Sequence, residues 1–240
     1  MKYKPCTVTI LQLDTGVPID RFGGWLADQG VVTSIVPVAS VGVPKVGELE
    51  DGLIVLGGRM SVTDGQQYPY LESVRQRLRE AVAAGVPTLA ICLGHQLLAE
   101  AFGGQVAVEH EGGEEGAVEL RWLDAAADDP VLADAVSRRL VRVPESHHDA
   151  VTALPDGAVE LARSEALPFQ AFRVGSALGV QFHPEASPSL MVSWAEGAQR
   201  RGRDCVDPAQ LWDEMVDADA DVVKLGRSLA TGFVKQVRAA

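Results

Sequence analysis

Two continuous apolar runs, "DGLIVLGG" (51–58) and "VPTLAI" (86–91), flank a long amphipathic segment, "YLESVRQRLREAVAAG" (70–85). An apolar run without polar alternation suits a strand covered on both faces. The intervening segment places Leu71, Val74, Leu78 and Val82 on one helical stripe, with Gly85 beyond its end. Strand, helix, strand in this order predicts a parallel sheet with helices packed on it.

The rest of the first half repeats the scheme. "TVTILQL" (7–13) and "VVTSIVPV" (31–38) read as β-branched strands, with a helix over 18–29 between them ended by Gly30. "HQLLAEAFGG" (95–104) reads as the next helix. After residue 104 come short strand-like stretches: "QVAVE", "GAVELRWL", "RLVRV", "VELARS", "FQAFRV" and "ALGVQFH". "DDPVLADAV" (128–136) reads as a short helix among them, and "EHEGGEEG" (109–116) as a mobile acidic loop. This half is expected to be mixed or antiparallel. From Ser187 the pattern turns helical, over about 189–201, 208–216 and 219–238. The expected fold is α/β: a doubly wound, flavodoxin-like mixed sheet with helices on both faces, over 1–188, followed by a C-terminal helical extension, 189–240, packed on the same domain.

Composition narrows the function. The formal net charge is −12, with no run of Lys or Arg, which argues against nucleic-acid or anionic-membrane surfaces. No apolar run approaches the ~18 residues that span a bilayer. "MKYKPCTVTILQL" has a short, alternating apolar run without a cleavage site, so it reads as a first strand and not a signal peptide. The three cysteines, Cys6, Cys92 and Cys205, are odd in number and far apart. They fit reduced thiols in a cytoplasmic protein better than a disulfide framework.

Of these, Cys92 stands out. It lies where "VPTLAI" must reverse into the following helix, with Gly94 two places on. A side chain at such a turn projects clear of the backbone and faces the unpaired N–H groups and positive dipole end of the helix. That favours a reactive sulfur, as in a nucleophile elbow. A cysteine nucleophile needs a base and a group to orient the base. "GVQFHPEAS" (179–187) offers His183 at a strand end and Glu185 two residues on, so that in an extended chain both point one way, with Pro184 stiffening the link. The spacings of His95, His110, His147 and His148 match no common zinc pattern, and "DADAD" (217–221) lacks the EF-hand glycine and distal Glu. It reads as a helix start favoured by the dipole. No metal and no cofactor is expected. Cys6 and Cys205 read as filling or incidental, His95 as an exposed residue of the first helical turn, and Trp194 and Trp212 as packing anchors.

"AICLGHQLLAEAFGG" together with "GVQFHPE" resembles the class I, triad-type glutamine amidotransferases, most of all the glutaminase half of GMP synthetase and its stand-alone relatives. "DGLIVLGGRMSV" resembles that family's Gly-Gly strand end, and "PESHHDAVTALPDG" its Ser-His-x-Asp segment. The four blocks occur in the family's order, from about residue 6 to 190. The resemblance implies that Cys92 attacks the side-chain amide of glutamine, that His183 serves as acid and base, and that Glu185 orients it. It also implies an oxyanion hole from the amides of Gly58 and Leu93. Gly57, Gln96, Ser146, His147 and His148, in a segment running to Asp149, would then hold the substrate. The sequence departs from the family at Ala90, His148 and Arg59, where glycine, glycine and a proline-like position are usual; Arg59 becomes a candidate ligand contact. No synthetase domain or P-loop pattern follows the glutaminase-like part. Three functions stay open. Ammonia could pass to a separate synthetase subunit, the enzyme could act alone on γ-glutamyl peptides or amides, or the fold could serve as a non-catalytic glutamine-binding regulator.

Overall fold

The computed structural model describes residues 6–111, 113–136, 140–203 and 205–240. In chain order the strands are β1 (Thr7–Gln12), β2 (Val32–Pro37), β3 (Gly52–Val55), β4 (Thr88–Ile91), β5 (Gln105–Ala107), β6 (Glu114–Trp122), β7 (Leu140–His147), β8 (Ala150–Ala153), β9 (Val159–Arg163), β10 (Ala171–Val174) and β11 (Ala177–Val180). The helices are α1 (Asp20–Ala27), α2 (Val38–Val41), α3 (Tyr70–Ala83), α4 (Leu93–Ala101), α5 (Pro188–Arg200) and α6 (Pro208–Ala239).

Nine strands form one mixed sheet in the order β2-β1-β3-β4-β11-β10-β9-β6-β7, while β5 and β8 pair separately. Strands β2, β1, β3, β4 and β11 run parallel. From β11 to β7 every neighbour is antiparallel. The apolar runs alternate between the two faces. Ile54 and Leu56 enter one core with Val8, Ile10, Leu89 and Ile91, beneath α1 and α6. Leu53 and Val55 enter the other with Leu11 and Ala90, beneath α3 and α4. Helices thus cover both faces of the parallel half, which is why its strands lack polar alternation.

Four local expectations are corrected. Segment 128–136 is not a helix; a 3-10 turn over Asp124–Asp128 and further turns occupy that region. Asp129 organises them, its carboxylate accepting from the amides of Val131 and Leu132 and from Arg173. The acidic stretch 109–116, of which Gly112 lies outside the described residues, is a loop only to Gly113; Glu114 opens β6 and is buried. The two last helices expected are a single one, α6. "DADAD" therefore sits inside α6, not at a start: Asp219 pairs with Arg21 at 2.6 Å and Asp217 with Arg142 at 2.7 Å. A helical interior tolerates these aspartates because each cation comes from a different element packed alongside.

Helix α6 is bound into the main core. Leu225, Leu229, Phe233, Val234 and Val237 share one cluster with the sheet residues beneath α1. Its first turns pack with α5 in a smaller cluster built on Met191, Ala195, Leu211, Met215 and Val222. Trp212, read as a packing anchor, is 46% exposed and lies outside the clusters of buried residues. Among the described residues no helix is long and apolar enough to cross a membrane.

Candidate active site

Three adjacent parallel strands bring the motifs together. β4 ends at Ile91, with β3 on one side and β11 on the other. Their C-terminal ends lead to Cys92, to Gly57–Gly58 and to His183. The amide of Cys92 donates to the carbonyl of Val180 at 2.9 Å, which fixes the register of the cysteine and histidine blocks. Sheet order, and not sequence spacing, puts residues ninety positions apart beside each other.

Cys92 has φ 51° and ψ −110°, in the left-handed half of the map where a non-glycine residue is strained. The strain follows from reversing a strand into a helix without a loop. Helix α4 begins at the next residue, Leu93, and the Cys92 carbonyl accepts the first helical bond from Gln96 at 3.0 Å. The turn is tight enough that Gly94 lies against β3: a Cβ there would sit 2.5 Å from the carbonyl oxygen of Val55. That contact is the reason for glycine two residues after the cysteine.

The imidazole of His183 and the Cys92 sulfur lie close enough to act on one another electrostatically, with Gly57 packed against both side chains. Nδ1 of His183 lies 2.7 Å from Oε1 of Glu185, and both residues are almost wholly buried. Burial on its own lowers the basicity of His183. The Glu185 carboxylate and the Cys92 sulfur outweigh it and hold the ring well above the ordinary histidine range. The His–Glu contact does not come from an extended chain as expected. Residues 183–186 form a turn, closed by the Ala186 amide donating to the His183 carbonyl at 3.1 Å, with Pro184 at its second position. The fold thus reaches the same pairing through a different backbone shape.

Gly57 packs against both side chains; a Cβ there would lie 3.0 Å from Cε1 of His183 and 3.2 Å from Cβ of Cys92. Gly58 faces Met60 and Leu93. Leu93 is the first residue of α4, so its amide has no partner within the helix. Gln96 is buried and donates to the Asp149 carbonyl at 2.8 Å and to Oε1 of Gln181 at 3.1 Å. It thereby ties α4 to the 146–149 segment. Asp149 is held further by Ser61, at 2.6 Å, and by the Glu109 amide. Ser146 is partly buried and His148 exposed. The His147 ring is turned inward, towards Glu114 and Glu145.

Several contacts near the site differ from the sequence reading or escaped it. Trp194 of α5 lies against the His183 ring, centroids 4.7 Å apart, and its Nε1–H donates to the Gly16 carbonyl at 2.8 Å. It is a wall of the site as well as an anchor. Arg59 pairs with Asp14 at 2.6 and 2.7 Å, so its head is engaged by the chain itself. Glu145 is wholly buried; burial and the neighbouring Glu114 push its carboxyl well above the usual carboxylate range. His95, expected on the surface, is fully buried against Phe172, ring centroids 4.8 Å apart. Burial pushes it down to about 3, so it stays neutral. No short motif could have revealed these contacts, because each joins segments far apart in the chain.

The arrangement is a strained cysteine at a helix start, a buried imidazole beside it, and a carboxylate on one ring nitrogen. Chemically it can perform acyl transfer through a thioester. Comparison with known proteins bears on the family. The family model for glutamine amidotransferase class-I matches residues 26–193. A subunit of a glutamine-hydrolyzing GMP synthase from Methanosarcina mazei is 33% identical over 162 residues, covering 67% of this chain and 75% of that protein. A glutamine amidotransferase structure from Methylobacillus flagellatus superposes with a TM-score of 0.80 at 26% identity, over 97% of this chain and 96% of the other. One from Thermotoga maritima gives 0.82 at 22% identity over 98% and 99%, a likeness of fold. A cysteine elbow on a doubly wound sheet, matched over most of its length, makes this chain a member of the class I glutamine amidotransferases.

Proposed function

We propose that this enzyme hydrolyses the side-chain amide of glutamine and delivers the ammonia to a separate synthetase subunit. The observation that carries the reading is the Cys92–His183–Glu185 chain of contacts at the end of the parallel strands. Cys92 sulfur attacks the amide carbon, and the carbonyl oxygen becomes an oxyanion held by the amides of Leu93 and Gly58. Each such donor is worth about 3–4 kcal/mol in related acyl-transfer sites. The protonated His183 gives its proton to the leaving nitrogen, and ammonia departs. The γ-glutamyl thioester remains on Cys92. His183, now neutral, takes a proton from water, whose oxygen attacks the thioester to release glutamate. Glu185 holds the imidazole in one tautomer and balances its charge throughout. Gly57, Gln96 and the Ser146–Asp149 segment with His147 and His148 form the wall against which the amino-acid head of the substrate rests. The partner is suggested by the name of the Methanosarcina relative, which is one subunit of a glutamine-hydrolysing synthase.

Ammonia release from glutamine, measured alone and with synthetase fractions from the same cell, tests this. The expected result is hydrolysis that depends on Cys92 and rises with the partner. Cleavage of γ-glutamyl peptides in preference to glutamine, with no response to any partner, would replace this reading by a stand-alone hydrolase. Glutamine binding without turnover would replace it by a regulatory role.

A further inference from the structure

Behind the catalytic histidine, three side chains from β6 and β7 converge. Register places Glu114 opposite His147, with Glu145 two residues earlier on the same face of β7. Nε2 of His147 lies 3.5 Å from Oε2 of Glu114 and 3.5 Å from Oε2 of Glu145. All three side chains are more than nine-tenths buried. Among the described residues, Nε2 of His147 and both oxygens of Glu145 find no hydrogen-bond partner. The tautomer follows from the other ring nitrogen. Nδ1 of His147 lies 2.9 Å from the Asp149 carbonyl, an acceptor only, so Nδ1 carries the proton. In the neutral ring Nε2 then presents a bare lone pair to two carboxylates. Three such groups facing one another in a buried interior are stabilised by a positive centre between them, either a proton held by the raised Glu145 carboxyl or a bound cation, and the convergence of one imidazole and two carboxylates suits a cation.

We propose that Glu114, Glu145 and His147 bind one divalent transition-metal ion, of which zinc is the best-suited, at a site separate from the Cys92–His183–Glu185 chain. One donor atom from each residue lies within 4.8 Å of the other two. The imidazole-to-carboxylate separations fit: donors about 2.0–2.1 Å from a tetrahedral ion stand roughly 3.4 Å apart. One imidazole with two carboxylates favours zinc over magnesium or calcium, which take oxygen donors throughout. The outer contacts also match a metal site. The Asp149 carbonyl orients the ring, and the Gln170 side-chain amide donates to Oε2 of Glu114. The histidine spacings gave no hint of it, because only one ligand is a histidine and the glutamates come from paired strands. The ion would join β6 to β7 directly under the 146–149 segment, and the Pro144 carbonyl beside Glu145 accepts the His183 amide at 2.8 Å. His147 belongs to the segment proposed to wall the substrate, but its ring faces Glu114 and Glu145, and uptake of the ion does not require the glutaminase step.

The test is metal content and zinc affinity of the purified full-length protein, without reference to activity. Elemental analysis, followed by titration of chelator-stripped protein with zinc against a chromophoric chelator, should give one ion per chain. Loading at a hundredfold excess over Kd should raise the melting temperature by roughly 5–10 °C. E114Q and H147Q should each weaken binding at least tenfold, while H110A should leave it unchanged as a control for surface sites. The wild-type titration needs no variant to fold. Absence of stoichiometric uptake, or equal uptake by wild type and E114Q, would overturn the assignment and leave a shared proton as the positive centre.

Discussion

At the scale of single residues, the site depends on a strained cysteine and a histidine of raised basicity. Cys92→Ala should lower glutamine turnover by at least ~10⁴-fold while the fold survives, read by steady-state kinetics and circular dichroism. It should also abolish labelling by a glutamine-mimicking electrophile, whereas Cys6→Ala should not. For His183, the sign follows from its environment. The Glu185 carboxylate and the Cys92 sulfur raise the ring above its ordinary value, so it holds the proton needed by the leaving ammonia until the pH climbs through that raised value. The alkaline limb of kcat/KM therefore reports His183. Glu185→Gln removes the charge that opposes burial, so the limb should move to lower pH and the rate fall by about 10⁴-fold. A limb that stays in place would mean that another group sets it. The pairing of Cys92 with His183 was readable as two motifs, each with a chemical reason. Trp194 was not: a tryptophan on an amphipathic helix looks the same whether it fills core or walls an active site.

At the scale of elements, the β4–α4 turn is the constraint that bears on the site. Gly94→Ala would drive a methyl into the Val55 carbonyl, which is backbone of the central sheet and cannot step aside. The expected cost is about 1–3 kcal/mol in urea denaturation, with a loss of activity larger than the loss of stability, because the elbow itself must shift. α5 carries Trp194 from the C-terminal segment onto the His183 ring. Trp194→Ala should reduce kcat by roughly tenfold or more through a looser His183, with KM changed less. Helix periods and buried apolar runs were legible because one face or both faces of each element meet the core. The "DDPVLADAV" stretch was misread because Asp129 captures local amides and Arg173, which favours turns over a continuing helix.

For the molecule as a whole, α6 is structural in the same sense as the sheet. Phe233 is fully buried, and Val237 lies against Gly52 of β3. Phe233→Ala should cost about 3–5 kcal/mol, measured by chemical denaturation. A smaller effect would indicate that α6 is peripheral to the core. The mixed sheet explains how two unlike halves serve one site. β11 is parallel to β4 and antiparallel to β10, so it ends the parallel half and begins the antiparallel one. His183, the proposed catalytic base, leaves from that seam.

Local chemistry determined much of this from the sequence alone. Buried strands, the elbow cysteine, the His-Pro-Glu block and the absence of a basic run each depend on residues within a few positions of one another. Tertiary structure decided which strand ends are neighbours, that the His–Glu contact is made by a turn, that His95 is buried, and that Glu114, Glu145 and His147 converge in the interior. Those outcomes depend on strand order and register. Such pairings are chosen by the burial of whole faces and leave no short-range pattern in the chain.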